Sequence, residues 1–276
     1  MNRGGIYFIK IRMKISLQTS NFLTSQTGQM FIGLILGDGT LTPYRFEHSQ
    51  RNTYWEYSKH ISQQFQTQYP QLLTPKIFND FFYLKKRTNP ESLIVYKSQT
   101  FYTKRHSIFS ELYTIFYPQG KKVLPMALID QYFTETSLLY LYLDDGRVGR
   151  YAYSGLGFSL CNFHQQELIE FKTFLLNRFK LEITIHRETK YLILYVNIKS
   201  SKQLLARFNE MTEIVDSLGL IRETKLKLKK VETQKLSSTK PREAFIIGNK
   251  TDQVKKPQLI GLLHGFIVGG IQVYML

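Results

Sequence analysis

Apolar positions along this chain switch between a helical and a strand-like period in one fixed order, and that order occurs twice. The first pass predicts an apolar helix ending at Gly37, Asp38 and Gly39, then a strand over YRFEHSQ and a helix over TYWEYSKHISQQFQ. Strands over PKIFNDFFYLKK and SLIVYKSQ and a helix over KRHSIFSELYTIF complete it. The second pass predicts an apolar helix ending at Asp144, Asp145 and Gly146, a strand over GLGFSLCNF and a helix over HQQELIEFKTFLLNRF. Strands over LEITIHRE and KYLILYVNI and a helix over SKQLLARFNEMTEIVDSLG follow.

The strand assignments rest on alternation, because successive strand side chains point to opposite faces. Tyr44, Phe46 and His48 alternate with Arg45, Glu47 and Ser49; Leu181, Ile183 and Ile185 alternate with Glu182, Thr184 and His186. Leu192, Leu194, Val196 and Ile198 lie opposite Tyr191, Tyr195 and Asn197, with Arg187 to Lys190 as the turn before them. Each sheet should therefore pack one face on helices and leave a polar face free. The expected class is α+β, with a first half over 28–130 and a second over 131–231. A basic N-terminal extension (1–27) and a C-terminal extension (232–276) flank them.

Charge narrows the set of partners. Thirty-seven Lys and Arg against twenty-one Asp and Glu give a formal charge of +16, which favours nucleic acid, or less often an anionic membrane surface. The single cysteine, Cys161, excludes a disulfide framework and suits a reducing compartment. Residues 1–20 hold four basic residues and no acidic one, as a targeting segment or a simple basic arm would. The final LIGLLHGFIVGGIQVYML is apolar but contains four glycines. A packed extension is expected there rather than a membrane span, which needs about twenty apolar residues. Abundant Phe, Tyr, Ile and Lys with one Trp match AT-rich coding sequence, hence an organelle genome (chloroplast or mitochondrion) or, alternatively, a bacterial cytoplasm.

Asp38 and Asp145 stand at equivalent points of the two passes, 145 − 38 = 107 residues apart. A carboxylate at a helix C-terminus faces the negative end of the helix dipole, and nothing in helix formation asks for it. Gly33 and Gly37, four apart, would let a second helix approach closely, and Gly39 and Gly146 are expected in the left-handed turn that ends many helices. If the two helices lie side by side about a pseudo-twofold axis, their aspartates converge as hard oxygen ligands of the kind Mg²⁺ takes. An Asp-Gly turn is the ordinary alternative for one copy; two copies in register argue against it.

FIGLILGDG and LLYLYLDDG (138–146) resemble the two signature motifs of LAGLIDADG homing endonucleases of the single-chain kind. The resemblance spans roughly residues 28 to 231. It implies pseudo-twofold αββαββα halves whose antiparallel sheets form a DNA-binding saddle in a monomer. It also implies metal binding by Asp38 and Asp145, with Asp144 a bystander. SLIVYKSQTF, a helix and then GKKVLP resemble the intron-encoded subgroup, in which a lysine near the inter-half linker reaches the active site. Lys122 matches that position, and its second-half counterpart falls at Lys227, or alternatively Lys225. Tyr140, Tyr142 and Arg147 depart from the common pattern.

The resemblance further implies two or more Mg²⁺ ions and hydrolysis of both strands of double-stranded DNA at a long asymmetric site, which promotes intron mobility. Arg45, Glu47, Ser49, Lys97 and Gln99 in the first half, and Glu182, Thr184, His186, Tyr195 and Asn197 in the second, are the candidate base-reading residues on the free faces. The alternative is a maturase that binds group I intron RNA and aids its splicing, with reduced or no DNA cleavage.

Overall fold

The computed structural model describes residues 15–73, 82–88, 95–148, 155–188 and 191–226, with two short strands at 267–268 and 271–272. For 82–88, 95–97 and the two short strands it describes the backbone alone. Two units are distinguished, one ending at Val231 and one beginning at Glu232. The second contributes β9 (Ile267–Val268) paired antiparallel with β10 (Ile271–Gln272). No helix among the described residues is long and apolar enough to cross a membrane.

The first unit begins with α1 (Leu17–Thr24), capped by the Ser16 side chain on the Thr19 amide. Glu111 of α4 (Ser107–Phe116) ties α1 down, accepting hydrogen bonds from the Ser16 amide at 2.7 Å and the Thr19 hydroxyl at 2.5 Å. Phe22 and Leu23 are fully buried. Packed structure thus starts earlier than the apolar patterning from Gly28 implied.

Helix α2 (Gln26–Leu36) is buried at every position from Thr27 to Leu36, and α6 (Glu135–Asp145) from Ser137 to Asp144. A helix that is apolar all round belongs in an interior, and these two pack on each other at the centre of the unit. A Cβ on Gly33 would stand 2.2 Å from the Ser137 carbonyl oxygen, and one on Gly37 2.5 Å from Cβ of Asp144. The missing side chains are what let the helices touch. Tyr140 and Tyr142, unexpected in such a seam, are buried with their hydroxyls satisfied, by His60 and by the Lys225 carbonyl respectively.

Each half builds one four-stranded antiparallel sheet. β1 (Gly39–Leu41), β2 (Phe46–Arg51), β3 (Phe82–Thr88) and β4 (Val95–Tyr102) form the first, in the order β1-β2-β4-β3. β5 (Gly146–Val148), β6 (Leu156–Phe158), β7 (Ile183–Glu188) and β8 (Tyr191–Val196) form the second, in the order β5-β6-β8-β7. The identical order makes the duplication a matter of topology, and the α+β class with antiparallel sheets is as expected. Helices α3 (Trp55–Gln68) and α4 pack on the first sheet. α7 (Gln165–Phe179) packs on the second, which α8 (Ile198–Glu210) follows in sequence; α5 (Met126–Tyr132) precedes α6, and α9 (Thr212–Val215) follows α8.

Two details differ from expectation. The first strand of each sheet, three residues long, went unrecognised because it starts on the glycine that ends the motif helix. Those glycines also adopt no left-handed turn: Gly146 is extended (φ −73°), and among the described residues the positive-φ glycines are Gly120 and Gly219. Gly39 and Gly146 are needed for space, since a Cβ would meet the Leu34 carbonyl oxygen at 2.6 Å and the Tyr142 carbonyl oxygen at 2.1 Å. The strand thereby turns back directly on its helix.

A polar link joins the halves inside the core. His60 of α3 meets the Tyr140 hydroxyl at 2.5 Å through Nε2 and the Ser217 hydroxyl at 2.6 Å through Nδ1. A neutral imidazole can donate at one nitrogen and accept at the other, which suits two hydroxyls. Burial lowers its pKa to about 4. Because the folded value lies below the unfolded one, His60 favours folding fully above pH 6.5 and progressively less as pH falls toward 4. Between pH 7.5 and pH 5 the wild type should lose about 2 kcal/mol more than His60→Gln, measured by urea unfolding. Gly33→Ala, which forces the central helices apart, should destabilise by about 1–3 kcal/mol in the same assay.

Candidate metal centre and nucleic-acid interface

Asp38 follows Gly37, the cap of α2, and Asp145 is the last residue of α6, so the packing of the two helices delivers both carboxylates to one region of the structure. Asp38 is exposed and Asp145 half-buried, so both can meet a ligand from solvent. Their surroundings are nonetheless dry and crowded with charge. Desolvation, reinforced by the charge of Asp144, raises the pKa of Asp38. Desolvation with the charges of Asp38 and Asp144 pushes Asp145 up to about 8. The Asp38 carboxylate accepts a hydrogen bond from Gln50 Nε2 at 2.8 Å. The Asp145 carboxylate has no hydrogen-bond donor among the described residues.

Two lysines supply the positive charge that the helix termini lack. Lys122 Nζ donates to the carbonyls of Gly37 (2.9 Å) and Gly39 (2.8 Å), which flank Asp38. Lys225, at the end of α10 (Leu220–Lys225), donates to the carbonyls of Leu143 (2.5 Å) and Asp144 (2.7 Å), just before Asp145. Each ammonium therefore sits at the negative pole of a motif helix, where a cation is favourable. Burial lowers both lysine pKa values, and the aspartates, Asp145 foremost at Lys122 and Asp144 at Lys225, pull them back up. Lys225 takes the place that mirrors Lys122; Lys227 lies outside the described residues.

The free faces of the sheets hold most of the other candidates. In the first sheet Arg45 pairs with Glu47 at 2.6 Å and lies over the Tyr102 ring, 5.3 Å from its centroid. Ser49 shares a 2.7 Å hydrogen bond with Thr100. Gln99 is a correction. It pairs with Gln50 across the ladder, on the covered face with Phe101, and is 1% exposed with no partner for Nε2 among the described residues. Alternation misled because a polar residue occupies the helix-packed face there. Lys97 lies in the part of β4 described by backbone alone.

In the second sheet Glu182, Thr184, His186 and Asn197 are exposed and Tyr195 half-buried. Glu182, Thr184, Tyr195 and Asn197 line one shallow depression. Glu182 accepts from the Asn197 side chain, and Thr184 bonds His186 at 2.7 Å. Arg147 makes a two-pronged ion pair with Glu188 at 2.9 and 2.6 Å and lies 4.9 Å from the Tyr195 ring centroid. Hydrogen-bond donors and acceptors are thus present on this face, held in order by one another.

Sequence reasoning missed what lies beneath Asp38. Asp144, expected as a bystander, is fully buried and accepts from His48 Nε2 (3.0 and 3.1 Å), the Tyr57 hydroxyl (2.9 Å), the Asp38 amide (3.1 Å) and, at 3.4 Å, Gln50. Burial opposes a charge on His48, but the attraction and hydrogen bond of Asp144 leave its pKa raised. Burial beside Asp144 raises Tyr57 well above the usual phenol range and keeps it a neutral donor. The available signal was His48 and Gln50 following Phe46 on the covered face of β2, where apolar residues are the norm.

Comparison with known proteins agrees with this architecture. The LAGLIDADG DNA endonuclease family matches residues 28–204. An intron-encoded endonuclease, ai4, of Dictyostelium discoideum is 30% identical over 105 residues, 37% of this chain and 63% of that protein. The chain thus aligns with less than two thirds of that relative's length. The solved structure of the homing endonuclease I-WcaI bound to its DNA recognition sequence superposes with a TM-score of 0.59 at 21% identity, covering 75% of this chain and 95% of that one. Matched over well more than half its length, with its two motif helices facing each other and ending in the two aspartates, the chain belongs to the LAGLIDADG DNA endonuclease family.

Proposed function

We propose that this protein is a site-specific endonuclease that hydrolyses both strands of duplex DNA, acts as a monomer, and promotes the spread of the intron that encodes it from an organelle genome. The observation that carries this reading is the convergence of Asp38 and Asp145 at the ends of two facing helices, with Lys122 held on the carbonyls that flank Asp38 and Lys225 on the carbonyls just before Asp145.

The donor set fits divalent cations. Asp38 and Asp145 are hard oxygen ligands, open to solvent, whose pKa values are raised by burial and by neighbouring carboxylates, a frustration that added positive charge relieves. Bound there, Mg²⁺ would supply Lewis-acid stabilisation of phosphate charge and a nucleophile from water at neutral pH. The chain's own groups do the rest. Gln50 orients the Asp38 carboxylate through its 2.8 Å hydrogen bond. Lys122 and Lys225, less basic than free lysines because they are buried, stand beside the aspartates where they can offset charge on a cleaved phosphate.

The free faces of the two sheets supply the polar side chains for base edges, and the net charge of +16 favours the phosphate backbone. Because the halves differ in sequence, the site they recognise is asymmetric.

Incubation with Mg²⁺ and a plasmid carrying the intron-free host-gene junction should yield linear product. Asp38→Asn or Asp145→Asn should slow that reaction at least about a hundredfold. An uncut plasmid together with protein-dependent splicing of the intron RNA would identify a maturase instead. Metal binding must also displace the Asp145 proton. Mn²⁺ affinity, by calorimetry, should therefore weaken about tenfold per pH unit below pH 8 and level off above it, and Asp145→Asn should flatten that dependence.

A further inference from the structure

Asp144 occupies the position equivalent to Gly37, since 144 − 37 = 107, the spacing that also relates Asp145 to Asp38. The two halves are therefore unlike at the residue just before the candidate metal ligand. The first helix has no side chain there, and the second has a carboxylate whose Cβ fills the gap that Gly37 leaves.

Among the described residues, all the donors to that carboxylate come from the first half: the Asp38 amide, His48 and Gln50 of β2, and Tyr57 of α3. With these groups around it Asp144 is saturated as an acceptor. One residue of the second half thus fixes the backbone at Asp38 and stands beside the glutamine that orients the Asp38 carboxylate.

Among the described residues nothing equivalent serves Asp145. Strand register identifies the counterparts, since His48 pairs with Gly39 across β1 and β2 where Phe158 pairs with Gly146 across β5 and β6. Two residues further on, Gln50 corresponds to Leu160, which is 1% exposed. The second half presents two apolar side chains where the first presents an imidazole and an amide.

We propose that Asp144 is a positioning residue that holds Asp38 and Gln50 in place, so that the centre's Asp38 side is pre-organised and its Asp145 side is not. This rests on the endonuclease reading for its effect on cleavage, whereas its effect on the Asp38 backbone stands independently. The two strands of the duplex are then cut at different rates, and loss of Asp144 acts on one of them.

The test follows each strand separately with end-labelled duplex and Mg²⁺, comparing wild type with Gln50→Ala, Asp144→Asn and Tyr57→Phe. The tyrosine variant removes a single hydroxyl and guards against misfolding of the buried aspartate variant. Gln50→Ala identifies the strand that depends on Asp38. Asp144→Asn should slow that same strand about tenfold more than the other and Tyr57→Phe should do so to a smaller degree, as expected for loss of hydrogen bonds to a charged group. Equal slowing of both strands, slowing of the other strand, or no change would overturn the proposal.

Hydrogen exchange of the metal-free full chain gives a second reading that needs no cleavage. The amides of Asp38 to Leu41 should exchange about tenfold faster in Asp144→Asn while those of α7 are unchanged; unaltered exchange at Asp38 would overturn the role even in a protein that cuts DNA normally. A wild type that cuts neither strand would defeat the endonuclease reading alone, leaving the exchange result to decide the positioning of Asp38.

Discussion

Two carboxylates placed where two helices end, against their dipoles and close enough for one to raise the other's pKa, are the constraint around which this molecule is organised. Helix stability alone would remove them. They are retained by a packing that leaves little choice of position. α2 and α6 meet through Gly33 and Gly37, and the chain after each aspartate turns straight back into a strand because the next residue has no side chain. Lys122 and Lys225 then meet the exposed carbonyls and partly offset the acidic charge. What remains unbalanced is the carboxylate pair itself, which the proposed divalent cation would balance.

The sheets follow from the same centre. β1 and β5 are extensions of the motif helices, so the strand order of each half is anchored at its aspartate. The covered faces pack against the helices, which carry most of the described buried apolar residues, while the free faces carry polar side chains that hold one another in place, as Arg147, Glu188 and Tyr195 do. The duplication is strict in topology and relaxed in chemistry. His48 and Gln50 replace apolar residues in one half only, beneath Asp38; Asp144 from the other half meets His48, and Asp38 meets Gln50. A buried imidazole and carboxylate cost desolvation unless they meet. Here they meet across the pseudo-symmetry.

Much of this was legible in the sequence. The repeated order of elements shows because half-buried strands alternate and apolar helices do not, and the Gly33 and Gly37 spacing shows the close seam. Asp38 and Asp145 stand out because they violate the dipole twice. Other features were hidden for physical reasons. β1 and β5 are too short to alternate, and α1 buries Phe22 and Leu23 within a stretch whose basic residues disguise it. Gln99 has the polarity of a free-face residue yet lies on the covered face beside Gln50. Asp144 looked incidental because its partners are 87 to 106 residues away in sequence, and only the fold brings Tyr57, His48 and Asp38 to it. Lys225 and Lys227 are two residues apart in a stretch of alternating lysines, and spacing alone does not separate them.

The central claim is that Asp38 and Asp145 together form a divalent-cation site at the seam of the two halves. Anomalous scattering from crystals of the full chain grown with duplex DNA and Mn²⁺ tests it most directly. The account predicts peaks within about 2.0–2.4 Å of carboxylate oxygens of both Asp38 and Asp145, absent when both are changed to asparagine. Peaks elsewhere, or none at either aspartate in a well-ordered complex, would contradict it.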